Sequence, residues 1–587
     1  MRKQATGSRS FFEKKELKKL LSACARGHER TGQLPLDEQK FFGSLFFKKG
    51  TACLAFTSFL LSTAAIAAPA CTPEALTKLN IPGVTITAAA EVPAADGQPA
   101  HCRVQGSVIT TGEGAGDGRA GFVMQLPASW QQRYFFMGVG GNAGNFTPSA
   151  NPADRAIALG KGYATIVTDT GHTGDGTTAE WTVDAAGKPN QVTRIDFFYR
   201  AAHVVTGAGK QLAAAFYGAP VQHAYFDGCS TGGRMAMMEA ERYPDDYDGI
   251  IAGDPAMDYR SQIGRILVQK AQLSSPAAYI PASLLPMIDK AVAAQCDAKD
   301  GVKDGLVQNP ATCHFKSEAL LCKAGATADC LSAPQVQTLK TYLAPLRDSA
   351  GHAIYPGMSP TDLAGPRGMP AWTIGLTDAN LADTMAPWGN KAPAGWNYAR
   401  QAISYWLTMG PQVHMNAYDA DPVTGRIGKD ALRHFDAVFA GAVTKDPARL
   451  ERFVEKGRKM IMYHGFSDPA ISPFRTTQFY REFAARRGGY AKAQANVRLF
   501  MVPGMAHCSA GPGPEHFDTL TPLEAWVEKG IAPDSILATA TFPGATKRTM
   551  PLCQFPEQAA YKGTGDINEA ANWSCTANTR LLEVAGK

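Results

Sequence analysis

Ser230 lies in Gly228-Cys229-Ser230-Thr231-Gly232, a complete G-x-S-x-G. That pattern describes a sharp strand-to-helix turn that lifts a serine hydroxyl above the end of a sheet. The hydroxyl is a weak nucleophile until a histidine takes its proton, and the histidine needs an acid to hold its tautomer and stabilise its charge. In folds with this turn the chain order is serine, acid, histidine. Asp468 ends Tyr463-His464-Gly465-Phe466-Ser467-Asp468, and His507 ends Val502-Pro503-Gly504-Met505-Ala506-His507. Each follows an apolar, strand-like run. Ser230, Asp468 and His507 are therefore the expected nucleophile, acid and base. His464 and His516 are rival histidines, but His507 alone combines the order with a neighbouring cysteine, Cys508. A disulfide between Cys229 and Cys508 would fasten the serine's turn to the histidine's loop.

Acyl transfer also needs donors aimed at the oxyanion. The N–H of Thr231, directly after the nucleophile, is one candidate. The glycine-rich loop Gly138–Gly144, after the strand-like Tyr134–Met137, is expected to supply another. A second constellation is acidic. Asp297, Asp300 and Asp304 lie in Cys296-Asp-Ala-Lys-Asp-Gly-Val-Lys-Asp-Gly-Leu306. Three carboxylates on a curling, glycine-containing loop suit a hard cation such as calcium, and the carbonyls of Val302 and Leu306 fall where they complete such a shell. A solvated acidic turn is the competing reading. A cation there would be structural, and nothing in the chain calls for an organic cofactor.

The elements that position these groups alternate between strand and helix. Tyr134–Met137 and Tyr163–Thr168 read as buried strands, Ile195–Tyr217 as a helix, and Ala224–Phe226 as the strand entering the serine turn. Arg234–Tyr243 continues as a helix, and Gly249–Ala252 is the next strand. Lys459–Tyr463 and Val497–Val502 are strands, with helices near Arg475–Arg486 and Leu523–Lys529. This alternation predicts an α/β fold with a mostly parallel, doubly wound sheet. From about Met257 to Gly457 the chain is rich in Pro, Gly, Ala and Trp with irregular periodicity, which predicts an inserted domain. The expected divisions are 1–68, 69–256, 257–457 and 458–587.

At 587 residues the chain is too long for one ordinary domain. A formal charge of +6, concentrated in the first fifty residues, leaves the remainder near neutral and argues against nucleic-acid binding. Lys48-Lys49 precede an apolar run from Ala52 to Ala68 that ends in small residues, as a secretory signal does. The run is short for a bilayer span. A periplasmic or secreted protein without stable membrane insertion is expected. Past that signal ten cysteines remain, an even number that reads as a disulfide framework. Spacing does not settle connectivity. Pairing of neighbours would give 71–102, 296–313, 322–330 and 553–575, leaving Cys229 and Cys508.

These motifs resemble one family. Cys-Ser-x-Gly-Gly at 229–233, Tyr-His-Gly-x-Ser-Asp at 463–468 and Val-Pro-Gly-Met-x-His-Cys at 502–508 are similar to those of the tannase and feruloyl esterase family. So are Arg-Tyr-Pro-x-x-Tyr-Asp-Gly-Ile at 242–250 and Tyr-Lys-Gly-x-Gly-Asp-Ile at 561–567. The resemblance implies an α/β-hydrolase core with a large lid between the nucleophile and acid strands, and a Ser230, Asp468, His507 triad. It implies the Cys229–Cys508 bridge, and it agrees with neighbour pairing of Cys71, Cys102, Cys296, Cys313, Cys322, Cys330, Cys553 and Cys575. It also implies an oxyanion hole at Thr231 and Gly141, and a lid calcium on Asp297, Asp300, Asp304 and the carbonyls of Val302 and Leu306. Family substrates are small esters of aromatic acids: hydroxycinnamates, gallates or terephthalate monoesters. The Trp396–Trp406 stretch is a candidate ring-binding wall, and Arg400 lies in the region where terephthalate-specific members keep a carboxylate-binding arginine. A serine peptidase and a calcium-dependent binding module on a hydrolase scaffold are the competing functions.

Overall fold

The computed structural model describes residues 68–578 except Thr327. The signal-like run therefore lies outside the described residues but for Ala68, as do Cys24 and Cys53. The chain first builds β1 (Val84–Val92), β2 (His101–Thr110), β3 (Gly118–Pro127), β4 (Arg133–Met137), β5 (Tyr163–Thr168), β6 (His223–Cys229) and β7 (Gly249–Gly253). Four short strands, β8 (Leu346–Arg347), β9 (Ala353–Tyr355), β10 (Ala420–Asp421) and β11 (Arg426–Ile427), make a separate small sheet. The chain then returns with β12 (Lys459–Gly465) and β13 (Val497–Val502).

The main sheet has nine strands in the order β1-β2-β3-β5-β4-β6-β7-β12-β13. β1, β2 and β3 form an antiparallel meander that joins β5 antiparallel. From β5 through β4, β6, β7, β12 and β13 every pair is parallel. The parallel strands carry continuous apolar runs because helices cover both faces. Tyr134, Phe135 and Phe136 of β4 are fully buried, and Phe136 stacks on Phe226 of β6 with ring centroids 4.9 Å apart. The helix Ala201–Tyr217 ends at Gly218, whose φ of 68° makes a left-handed cap.

Strands expected at Tyr163–Thr168 and Val497–Val502 have those bounds in the structure, and the helix Thr231–Arg242 begins directly after Ser230. The described residues of 254–458 contribute no strand to the main sheet, although β7 and β12 on either side of them are hydrogen-bonded neighbours. Among the described residues, five disulfides join Cys71 to Cys102, Cys229 to Cys508, Cys296 to Cys313, Cys322 to Cys330 and Cys553 to Cys575. Among the described residues no helix is long and apolar enough to cross a membrane.

Candidate active site

Four adjacent parallel strands, β6, β7, β12 and β13, each hand one side chain to the same place. Ser230 follows β6, Asp254 follows β7, Asp468 sits in the turn after β12, and His507 follows β13. Open α/β sheets bind ligands at these carboxyl ends.

Ser230 has φ 64° and ψ −121°, a strained conformation for a residue with a side chain. The strain is held by backbone bonds. Ser230 N–H donates to the Gly253 carbonyl (3.0 Å), and the Ser230 carbonyl accepts from Arg234 (3.0 Å) and Ala256 (3.1 Å). The turn also needs close backbone contact. A Cβ on Gly228 would stand 2.5 Å from the Gly232 carbonyl carbon and 2.8 Å from Gly232 Cα, so only glycine fits.

Ser230 Oγ is 2.9 Å from His507 Nε2, and His507 Nδ1 is 2.7 Å from Asp468 Oδ2. The carboxylate accepts, so Nδ1 carries the hydrogen and Nε2 is left to accept from the serine. Asp468 is fully buried, and its other oxygen accepts from the N–H groups of Ala470 (2.6 Å) and Ile471 (3.0 Å). Burial pushes its carboxyl up, but His507 and His464 outweigh that and hold it below the ordinary carboxylate range. His464 does not reach the serine. It is fully buried, with Nε2 3.2 Å from Asp468 Oδ2 and Nδ1 2.8 Å from Thr476 Oγ1. Burial lowers its pKa, and Asp254 and Asp468 more than restore it.

Asp254 was not singled out from the sequence, where it lies just before the expected division at 256/257. It is fully buried, accepts from Cys508 N–H (2.6 Å) and Gly465 N–H (3.1 Å), and lies 3.8 Å from His507 Nδ1. Its carboxyl is pushed up by burial. The signal available in the sequence was its place directly after an apolar strand. Cys508 and Ala510 have φ of 63° and 65°, so the histidine loop is tightly coiled where the bridge to Cys229 enters it.

Gly141 sits beside the elbow, and its carbonyl accepts from Thr231 Oγ1 (2.6 Å). A Cβ there would lie 2.2 Å from the Gly176 carbonyl, and its φ is 59°, so the position demands glycine on both counts. The pocket over Ser230 is lined by Gly141, Thr231, Tyr259, Gln262, Arg265, Trp372 and Tyr398. Trp372 stands edge-on to His507 with centroids 5.0 Å apart, and its ring lies 6.2 Å from that of Tyr398 at an interplanar angle of 18°. Arg265 sits 5.8 Å and 5.7 Å from those two ring centroids. Gln262 Oε1 is buried with no hydrogen-bond partner among the described residues.

The expected ring-binding stretch needs correction. Trp396 and Trp406 are buried and pack on core aromatics: Trp396 on Trp388, and Trp406 on Trp181, Phe197, Phe198 and Phe439. Of that stretch, Tyr398 alone lines the pocket. Arg400 is also engaged elsewhere, donating to the carbonyls of Val413 and Pro411. The arginine at the site is Arg265, which sequence spacing could not distinguish from other basic residues.

The acidic loop curls as its glycines allow, with Gly301 at φ 96° and Gly305 at φ 81°. Its carboxylates cap the loop's own N–H groups: Asp297 those of Asp304 and Gly305, Asp300 those of Val302 and Gln308, Asp304 that of Leu306. Asp304 also pairs with Arg548 at 2.8 Å. Burial pushes the Asp300 carboxyl up to about 7, and Asp304 and Asp297 add to the rise. Buried like-charged oxygens of this kind fit a hard cation by donor chemistry. Among the described residues, the clusters of three acidic, His or Cys groups with ligand atoms within 4.8 Å lie elsewhere: Asp254-Asp468-His507, Cys229-Asp254-Cys508 and His203-Glu239-Asp246. The first two belong to the serine–histidine site.

A doubly wound sheet with serine, acid and histidine after successive strands in this order defines an α/β-hydrolase. More narrowly, the chain belongs to the tannase and feruloyl esterase family, whose sequence model matches residues 102–576. It is 36% identical over 525 residues to the mono(2-hydroxyethyl) terephthalate hydrolase of Piscinibacter sakaiensis, covering 82% of this chain and 85% of that one. It is 30% identical over 465 residues to a probable feruloyl esterase of Arthroderma benhamiae, covering 77% and 81%. Feruloyl esterase B from Aspergillus oryzae superposes with a TM-score of 0.69 at 26% identity, covering 85% of this chain and 98% of that one. A tannin acyl hydrolase from Aspergillus niger shares the fold, with a TM-score of 0.66 at 22% identity and coverage of 88% and 97%.

Proposed function

We propose that this carboxylic ester hydrolase cleaves esters of aromatic acids through an acyl-serine intermediate. The observation that carries the reading is the unbroken hydrogen-bond chain from Ser230 Oγ through His507 to Asp468, beneath a pocket walled by Trp372 and Tyr398. Ser230 Oγ attacks the ester carbonyl as His507 Nε2 takes its proton, and Asp468 stabilises the imidazolium. The N–H groups of Thr231 and Gly141 receive the oxyanion. His507 then returns the proton to the leaving alcohol, and a water activated by the same histidine releases the acid.

The leading substrates are feruloyl, hydroxycinnamoyl and galloyl esters, whose flat rings suit Trp372 and Tyr398 and whose hydroxyls suit the unpartnered Gln262 Oε1. Arg265 favours a second reading. A guanidinium against both rings suits an acyl group with a free carboxylate, as in a mono(2-hydroxyethyl) terephthalate-type ester. Residues 257–457 act as the lid that carries Arg265, Trp372 and Tyr398. Asp297, Asp300 and Asp304 with the carbonyls of Val302 and Leu306 would hold a calcium ion, which neutralises buried carboxylates and fixes the loop. Five disulfides agree with an exported enzyme that matures in an oxidising compartment.

The test is kcat/KM on methyl ferulate, methyl gallate, chlorogenate and mono(2-hydroxyethyl) terephthalate beside p-nitrophenyl acetate and a peptide amide. Turnover of p-nitrophenyl acetate with none of the aromatic-acid esters would reject the substrate class, and preference for the amide would make the protein a peptidase.

A further inference from the structure

A cavity of about 560 Å³ adjoins the catalytic pocket. The two share Ser261, Arg265 and Trp372 and no other lining residue, so Arg265 and Trp372 form a partition faced from both sides. The volume is in the range of sites that take drug-sized ligands. Away from the partition the lining is largely apolar, with Leu267, Val268, Met358 and Pro360 contributing. Its charged residues near solvent are unbalanced. Lys316, Lys340 and Arg347 line the cavity against one carboxylate, Glu318, which Lys340 meets at 2.8 Å. An apolar chamber with surplus positive charge recruits an apolar body bearing an anionic group.

We propose that this cavity is a second subsite of the same enzyme, taking the distal arm of an elongated ester: an aromatic arm beyond the ring held at Trp372, ending in a carboxylate. The proposal rests on the reading of the Ser230 pocket as the ester-cleaving site. A one-ring ester engages only the catalytic pocket. A two-ring ester with a terminal carboxylate passes the Arg265–Trp372 partition and buries its second ring in the chamber, with its charge among Lys316, Lys340 and Arg347. Selection by chain length thus adds to selection by the scissile acyl group.

Gly264 makes the test clean. It lines the cavity from the helix Ser261–Gln272, and a Cβ built there meets no atom within 4 Å. Gly264→Phe projects a ring into the chamber from a position where the Cβ itself meets no neighbour, and removing a helical glycine favours the helix. We expect the wild-type enzyme to prefer a two-ring, carboxylate-terminated aromatic ester over its one-ring methyl ester by tenfold or more in kcat/KM. Gly264→Phe should erase that preference while one-ring turnover stays within twofold. Lys316→Glu should raise KM for the carboxylate-terminated ester several-fold and leave that of its neutral methyl diester unchanged. A readout without variants is product inhibition, in which a two-ring dicarboxylate should compete at least tenfold more tightly than benzoate. Equal wild-type kcat/KM for long and short esters, equal losses on both in Gly264→Phe, or equal inhibition by both acids overturns the subsite while leaving the Ser230 reading standing. Absence of any aromatic-ester turnover overturns both.

Discussion

Removing the Cys229–Cys508 bridge by paired Cys229→Ala and Cys508→Ala substitution separates its two roles. The bridge spans 279 residues of sequence. The chain-entropy relation assigns such a loop about 5 to 6 kcal/mol, and the two bridges nested inside it, 296–313 and 322–330, shorten it too little to matter. That figure is an upper bound, because engineered and native bridges commonly deliver less. The catalytic role is separate. The bridge joins residues adjacent to nucleophile and base with Cα atoms 5.9 Å apart, and Cys508 is held at φ 63°. Other ties survive its loss: Cys508 N–H still reaches Asp254, and Ala506 N–H still reaches the Ala510 carbonyl at 3.0 Å. A drift of about 1 Å between reacting groups costs on the order of 10²-fold. The double variant should therefore melt at a lower temperature and, assayed at 25 °C well below its melting point, lose about 10- to 100-fold in kcat with KM changed less than threefold. Steady-state kinetics on p-nitrophenyl acetate beside a thermal melt measure both. A lowered melting temperature with kcat within twofold of wild type would leave the bridge as a staple and refute the positioning argument.

Ser230→Ala should lower ester turnover by more than about 10³-fold with the melting temperature unchanged, because the side chain is small and half-exposed; retained turnover would move the nucleophile elsewhere. Gly228→Ala should destabilise the fold by about 2 kcal/mol or more, read by urea denaturation, since its methyl would stand 2.5 Å from the Gly232 carbonyl carbon. Asp468 is held below its unfolded value, so its contribution to stability is full above the unfolded carboxylate range near pH 4 and is lost as pH falls through the lower folded value. The melting-temperature gap between wild type and Asp468→Asn should accordingly shrink between pH 6 and pH 3, and a constant gap would contradict the assignment. Calcium with subsequent chelation should raise and then lower the melting temperature of the wild type, and Asp300→Asn should blunt the change; an unresponsive wild type would reject the calcium reading.

How much of this was legible in the sequence depended on whether the signal was local. The serine turn was legible because its glycines answer a local steric demand, seen at Gly228. β4, β5, β12 and β13 were legible as strands because burial on both faces leaves unbroken apolar runs. The β1–β3 meander was not delimited, since its edge alternates exposed and buried residues with Thr, Ala and Gly, a weak pattern. The pocket's walls were obscure for a different reason. Trp396 and Trp406 share composition with Trp372, and only tertiary packing decides which tryptophan faces core and which faces substrate. Asp254 was hidden because a single aspartate before a proline looks like a turn, and its meaning comes from three loops closing around it.

The pairing of β7 with β12 has an evolutionary reach. Residues 254–458 leave from one strand and return to its immediate neighbour, so their endpoints are fixed by backbone ladders such as Ile250 with Met460 and Ala252 with Met462. Loop-closure entropy grows only logarithmically with length, about 0.6 kcal/mol per doubling. Beyond Asp254, chain length alone therefore sets little barrier to exchanging the excursion for another. Transplanting 257–457 from a relative, with Asp254 left in place, should carry over substrate preference while the host keeps its nucleophile, base and acid in register.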